Sequence, residues 1–262
     1  MRIATWNINS VRLRLPLVRR LAEESAPDVL CLQETKVPDE LFPHEGLADL
    51  FPYRMVRGMK GYNGVAILSK LPLTDAGGQD WCGKTDCRHA FARLPGGIEL
   101  HNLYIPAGGD IPDPAVNVKF AHKLDFIDAQ AAWWAKEATT KARRIVVGDF
   151  NVAPLEHDVW SHKQLLDVVS HTPVEVEKLG RLQAAHDWVD GVRHFVPASE
   201  KLYSWWSYRA RDWRLTNRGR RLDHVWVTPA LAPKLAAANI LVDARDWPQA
   251  SDHVPVIVDL DV

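Results

Sequence analysis

Apolar and polar positions along this chain come in short bursts that sort into two periods. Ile3-Ala4-Thr5-Trp6 reads as an opening strand, and Val29-Leu30-Cys31-Leu32 follows the Pro27-Asp28 break as a buried one. Gly64 to Leu68, Ala90 to Leu94, Ile98 to Ile105, Arg144 to Val147, Leu222 to Val227 and Val254 to Leu260 share that character. Elsewhere the period lengthens. Leu15 to Glu24 sets Leu17, Val18 and Leu21 on one helical face, and Asn117 to Lys136 does so with Phe120, Leu124, Ile127 and Trp134. Ala107 to Pro114 is a Gly/Pro-rich loop, and Pro154 to Lys178 reads as a long polar stretch of the kind that often carries function. Hairpin-like and crossover connections in one chain predict an α/β sandwich rather than a purely parallel sheet. No linker interrupts residues 1–262, so a single domain is expected.

Composition narrows the picture. With 262 residues, 47% hydrophobic and 25% charged, the chain resembles an ordinary globular protein with room for a sizeable core. It shows no heptads, low-complexity tracts or fixed-period repeats. No apolar run nears the roughly 20 residues needed to span a bilayer. The opening Met1-Arg2-Ile3-Ala4-Thr5-Trp6-Asn7 lacks the features of a signal peptide. Cys31, Cys82 and Cys87 are sparse and without metal-knuckle spacing, as expected of reduced thiols in a cytoplasmic protein, here taken as a monomer. A net charge of −1 means that any nucleic-acid binding must come from a local patch. Most of the eleven tryptophans are read as core and some as stacking surfaces.

Four strand ends carry polar clusters: Trp6-Asn7, Leu32-Gln33-Glu34-Thr35, Gly148-Asp149-Phe150-Asn151, and Ser251-Asp252-His253 before the last strand. In α/β folds, ligands gather where strands meet loops. Each cluster alone has a plain structural reading. Asn7 suits a turn, Glu34 a surface lysine such as Lys36, Asp149-Asn151 a hairpin turn, and Asp252-His253 a hydrogen-bonded turn pair. Asp149 and Asn151, at i and i+2, project to one side of an extended segment. Taken together, Asn7, Glu34, Asp149, Asn151 and Asp252 offer hard oxygen ligands suited to Mg²⁺ or Mn²⁺ with a phosphate, and His253 adds a group titrating near neutrality. The set points to phosphoryl chemistry.

These segments resemble the exonuclease III family of DNA repair nucleases, within the endonuclease/exonuclease/phosphatase superfamily. The likeness also rests on Tyr62-Asn63-Gly64-Val65-Ala66-Ile67, Gly148 to Pro154, Arg221-Leu222-Asp223-His224 and Ser251 to Val256, in family order along nearly the whole chain. It implies a four-layer α/β sandwich, two packed mixed sheets flanked by helices, with a metal site at one sheet edge. By resemblance, Asn7 and Glu34 match metal-site positions, Tyr104 the tyrosine near the scissile phosphate, and Asp149 the aspartate that activates water. Asn151 matches the asparagine on the phosphate and Asp223 a second active-site aspartate, while Asp252 is expected to orient His253. Asn151, Asp252 and His253 are also counted with the metal site.

The implied activity is divalent-metal-dependent hydrolysis of DNA, 3′-to-5′ with release of 5′-phosphonucleotides, with cutting at abasic sites as a further activity. DNA contact is placed on Trp205, Trp206, Arg209, Arg211, Arg214, Arg218, Arg220 and Arg221, where basic and aromatic residues interleave. Arg57 and Lys60 are secondary candidates for phosphate contact. Two positions depart from the family. Ala107 follows Tyr104-Ile105-Pro106 where relatives carry Asn or Gln, and Arg220 stands where they carry a Trp or Leu of the pocket for a base-free sugar. Trp205 fits the aromatic pocket position, and Ser170 is small, as in members that admit such a sugar. Two other readings remain: a phosphoesterase of the same superfamily acting on inositol phosphates or lipids, and a non-catalytic DNA-binding protein.

Overall fold

A computed structural model of the chain describes residues 1–139 and 141–262. Its strands are numbered in chain order: β1 (Arg2–Asn7), β2 (Val29–Gln33), β3 (Tyr53–Arg57), β4 (Val65–Ser69), β5 (Thr74–Gly77), β6 (His89–Leu94), β7 (Ile98–Tyr104), β8 (Arg144–Asp149), β9 (Val189–Asp190), β10 (Trp205–Trp206), β11 (Gly219–Arg220), β12 (Asp223–Val227), β13 (Leu235–Ile240) and β14 (Val256–Leu260). One mixed sheet runs β13-β14-β1-β2-β4-β3 and a second runs β5-β6-β7-β8-β12-β9, with β10-β11 as a separate hairpin. The helices are α1 (Leu15–Ser25), α2 (Val118–Glu137), α3 (His162–Leu165), α4 (Pro173–Ala184) and α5 (Trp213–Thr216).

Side-chain alternation makes the layers. From β1, Ile3 joins the core between the sheets, while Ala4 and Trp6 join the one beneath α1 with Leu17, Val18 and Leu21. From β8, Ile145 and Val147 point to the central core and Val146 to the outer one, against Phe126, Ile127 and Trp134 of α2 and Leu179 and Leu182 of α4. The result is the expected four-layer sandwich. No helix among the described residues is long and apolar enough to cross a membrane.

Two expectations are corrected. The stretch Pro154 to Lys178 is not loop throughout: α4 starts inside it, with Pro173 in its first turn and a reciprocal Thr172–Glu175 capping box. That Thr-x-x-Glu signal stood in the sequence. Strands β3, β5, β9, β10, β11 and β13 are additional; β3, β5 and β13 are largely exposed or only half buried, so their apolar pattern is weak, and the other three are two residues each. The tryptophans divide as expected, with seven buried and Trp133, Trp160, Trp205 and Trp213 only partly so.

The topology brings the chemistry to one edge. β1 and β2 are parallel neighbours and deliver Asn7 and Glu34 together. β7 and β8 are parallel neighbours in the facing sheet and end at Tyr104 and Asp149, which lie opposite each other. Antiparallel β12 begins with Asp223 in register with Asp149.

Candidate active site

Asn7 is fully buried and ties the two sheets together. Its Nδ2 donates to Glu34 Oε1 and to Asp149 Oδ2, both at 2.9 Å. Glu34 follows β2 with φ of 51°, a left-handed turn that swings its carboxylate inward. Its Oε1 also accepts from the Tyr104 hydroxyl at 2.9 Å, and its Oε2 pairs with Lys36 at 2.8 Å. Burial opposes the charge on Glu34, but Lys36 and Asn7 outweigh it and hold the pKa below the usual carboxylate value. Tyr104 goes the other way: burial, then Glu34 and Asp149, keeps its proton on well above the ordinary range.

Asp149 is almost fully buried at the end of β8. Its Oδ1 accepts from the Asn151 backbone N–H at 2.9 Å, and its Oδ2 lies 3.6 Å from His253 Nε2. Burial pushes its pKa up to about 7; His253 and Asn7 pull against that shift, while Asp223 and Glu34 add to it. His253 Nδ1 is held by Asp223 Oδ2 at 2.8 Å, and Ser204 Oγ donates to the same oxygen at 2.7 Å. Burial opposes the imidazolium, but Asp223 and then Asp149 outweigh it and push the pKa up to about 10. His253 thus presents Nδ1 to Asp223 and Nε2 toward Asp149.

Asp252 was expected to orient His253, and it does not. Its Oδ2 accepts from Trp205 Nε1 at 2.9 Å and its Oδ1 from Asn9 Nδ2 at 3.2 Å, away from the imidazole that its neighbour presents to Asp223. Asn151 is in place but committed: its Nδ2 donates to the Ile105 carbonyl at 2.9 Å and to Asp149 at 3.1 Å, so it fixes the loop and the aspartate together.

Asp149, Asp223 and His253 offer ligand atoms within 4.8 Å of one another. Asp223 Oδ1 is buried with no hydrogen-bond partner, and the nearby donors are carboxylates and amides with no thiolate. Three carboxylates, Glu34, Asp149 and Asp223, face the two cations Lys36 and His253. An orphaned oxygen in a set of hard donors fits a divalent cation at Asp149 and Asp223, with Asn7 bonded to both Asp149 and Glu34 beside them.

Beside this set lies a cavity of about 570 Å³ whose walls include Glu34, Asn151, Trp205, Arg209, Arg218, Arg220 and His253. Of the expected DNA contacts, Trp205, Arg209, Arg218 and Arg220 thus reach the site. Trp206 and Arg221 do not. Trp206 is buried with its Nε1 on Asn217 Oδ1, and Arg221 is buried between Asp158 and Asp190. Arg214 is exposed but bound to Asp243 and Asp246, and Arg211 is exposed outside the cavity. Arg57 is engaged by Asp80 and the His89 carbonyl.

Sequence reasoning missed Lys123. It is fully buried on α2 and donates to the Asn151 carbonyl at 2.7 Å and the Ala107 carbonyl at 3.3 Å. Its partner Glu175, also fully buried, accepts from the Ser170 N–H. One ion pair therefore fixes the loops after β7 and β8 and the loop before α4. The signal was a lysine interrupting the apolar stripe of Phe120, Leu124 and Ile127.

Residues 4–253 match the endonuclease/exonuclease/phosphatase family. The chain is 29% identical to exodeoxyribonuclease III of Haemophilus influenzae over 98% of both proteins. Among solved structures it is similar to an AP endonuclease from Archaeoglobus fulgidus, with a TM-score of 0.93, 31% identity and complete coverage of both chains. It is also similar to a 3′ phosphatase from Neisseria bound to a product DNA hairpin, with a TM-score of 0.91, 29% identity and complete coverage of both.

Proposed function

The chain belongs to the endonuclease/exonuclease/phosphatase family, with exonuclease III-type relatives along its whole length, and on that premise we propose that it hydrolyses DNA from the 3′ end. The products are 5′-phosphonucleotides, the cation is Mg²⁺ or Mn²⁺, and the protein works as a single domain. The observation that carries this reading is the Asp223–His253–Asp149 chain, with contacts of 2.8 and 3.6 Å, opening on a cavity that arginines line.

Glu34, Asp149 and Asp223 would hold the cation, which when bound supplies charge neutralisation for the phosphate and the departing oxygen. The protein's own groups do the rest. Asp149, buried beside His253, takes the proton from the attacking water. His253, kept charged and aimed by Asp223, donates through Nε2 to the phosphate as negative charge builds there. Asn7 and Asn151 both donate to Asp149 Oδ2 and fix the carboxylate. Tyr104 keeps its proton on Glu34 and steers that carboxylate. Arg209 and Arg218 face the DNA backbone.

The test uses end-labelled duplexes, intact or carrying one abasic analogue, with Mg²⁺, Mn²⁺ or a chelator. A ladder of stepwise products that the chelator abolishes is expected. Failure to release nucleotides with either cation would overturn the reading, and hydrolysis of inositol phosphates in its place would favour a phosphoesterase.

A further inference from the structure

Arg220 lies in the wall of the cavity without a carboxylate of its own. Its Nη1 donates to the Val169 carbonyl at 2.9 Å and to Ser170 Oγ at 2.7 Å, and its Cζ sits 5.2 Å from the Trp205 ring centre. Its Nε is buried with no hydrogen-bond partner among the described residues. Glu175, the anion acting on it, is already committed to Lys123 and to the Ser170 and Thr172 backbone. Burial works against the charge, yet a guanidinium in a protein stays protonated. A partly desolvated guanidinium in the cavity wall, with no carboxylate paired to it, is costly unless an anion arrives, and its planar fork matches phosphate oxygens.

The remaining wall by itself would suit a neutral guest. Trp160, Trp205 and Leu222 give the cavity apolar surface suited to a sugar, but Arg220 sets a charge against it. Its bond to Ser170 also occupies the hydroxyl that made this position look open. A 3′-terminal phosphomonoester differs from an internal diester in one respect that matters here. It has a second ionisation near pH 6, so at neutral pH it carries close to one extra negative charge.

Resting on the reading of this cavity as the seat of a DNA 3′ end, we infer that Arg220 is a specificity-determining residue that favours a terminal 3′-phosphomonoester over a base-free sugar. The reaction is the same hydrolysis. The water oxygen bonds to phosphorus, its proton passes to Asp149, and the P–O3′ bond breaks. The 3′ oxygen takes a proton from solvent, leaving inorganic phosphate and a 3′-hydroxyl end.

The experiment compares three duplexes, ending in a 3′-phosphate, ending in a 3′-hydroxyl, or carrying one internal abasic analogue. Wild type, Arg220→Leu and Arg220→Lys are measured on each, with thermal melting to check folding. In Arg220→Leu the ratio of kcat/KM for the 3′-phosphate to that for the 3′-hydroxyl should fall about 10- to 100-fold, as expected for one lost charge-assisted hydrogen bond. Abasic cutting should rise against both, and Arg220→Lys should recover part of the ratio. Equal loss on all three substrates, or an unchanged ratio, would overturn the role of Arg220 while leaving the nuclease reading intact. A wild type inactive on every duplex would overturn the nuclease reading and this inference with it.

Discussion

Two buried charge clusters lie a residue apart in the sequence and could hardly be built more differently. Arg221 has both faces filled: Nε and Nη2 meet Asp158 at 2.8 and 2.9 Å, and Nη1 meets Asp190 at 2.7 Å. Arg193 adds a bond to Asp158 at 2.6 Å, so two arginines close on two aspartates. Asp223, two positions on, belongs to a cluster that does not close. It leaves one oxygen unpartnered, raises the pKa of Asp149 and confronts the neighbouring cavity with the unneutralised Arg220. The closed cluster is scaffold, since each desolvated charge in it meets a counter-charge. The open one keeps charges in excess at the places where a cation and a phosphate would complete them.

The sharpest way to break this contrast is to neutralise one member of each cluster. Asp149→Asn removes a charge that the open cluster already disfavours. Cleavage should fall about 10²–10⁴-fold, the usual range for loss of a general base, while the melting temperature holds or rises. Undiminished turnover would remove Asp149 from the mechanism. Arg221→Met should do the reverse. It strands Asp158 and Asp190, and breaking a buried pair in this way costs about 3–5 kcal/mol of stability, read from urea unfolding. A loss under about 1 kcal/mol would mean that the cluster closes without Arg221.

A divalent cation should stabilise the open cluster alone. At about 100 times its dissociation constant it adds about 2.7 kcal/mol, a rise of several degrees in Tm that EDTA reverses. The rise should survive in Asp158→Asn and vanish in the double variant Glu34→Gln, Asp149→Asn. If it survives in the double variant, the cation binds elsewhere.

Much of this contrast was legible in the sequence, and the rest was hidden for one geometric reason. Asn7, Glu34, Tyr104, Asp149, Asn151, Asp223 and His253 sit at strand ends, where an apolar run stops on a polar residue, and the fold gathers those ends at one edge. The errors concern direction. Side chains alternate along an extended segment, so Trp205 and Arg220, paired across the β10–β11 hairpin, face the cavity while Trp206 and Arg221 turn into the body. The same alternation separates Asp252 from His253. A basic, aromatic stretch read as one surface is therefore two faces, one of them structural. Lys123 escaped for a different reason: its partner Glu175 lies 52 positions away on another helix, and that proximity is tertiary.

The smallest expected effect separates the clusters by pH. An acid whose pKa is raised on folding makes the native state bind more protons than the unfolded chain between the two values. For Asp149 that window runs from about 3.8 to about 7, so stability should increase as pH falls from 6 to 5, by at most about 1.4 kcal/mol. Asp158 and Asp190 are lowered on folding: burial opposes their charges, and the arginines, with His224 beside Asp190, outweigh it. Their stabilisation is fully present above the unfolded value and is lost only as pH drops through the still lower folded one. Between pH 6 and 5 they contribute no slope. The buried His89, His101, His171 and His186 are lowered on folding and add pH dependence of their own, so the quantity to measure is the difference in unfolding free energy between wild type and variant, with EDTA present. For Asp149→Asn that difference should change with pH over this range, in favour of the wild type at pH 5, whereas for Asp158→Asn it should stay flat. A flat difference for both would mean that Asp149 is ionised throughout, and that the excess charge of the open cluster is relieved by some other group.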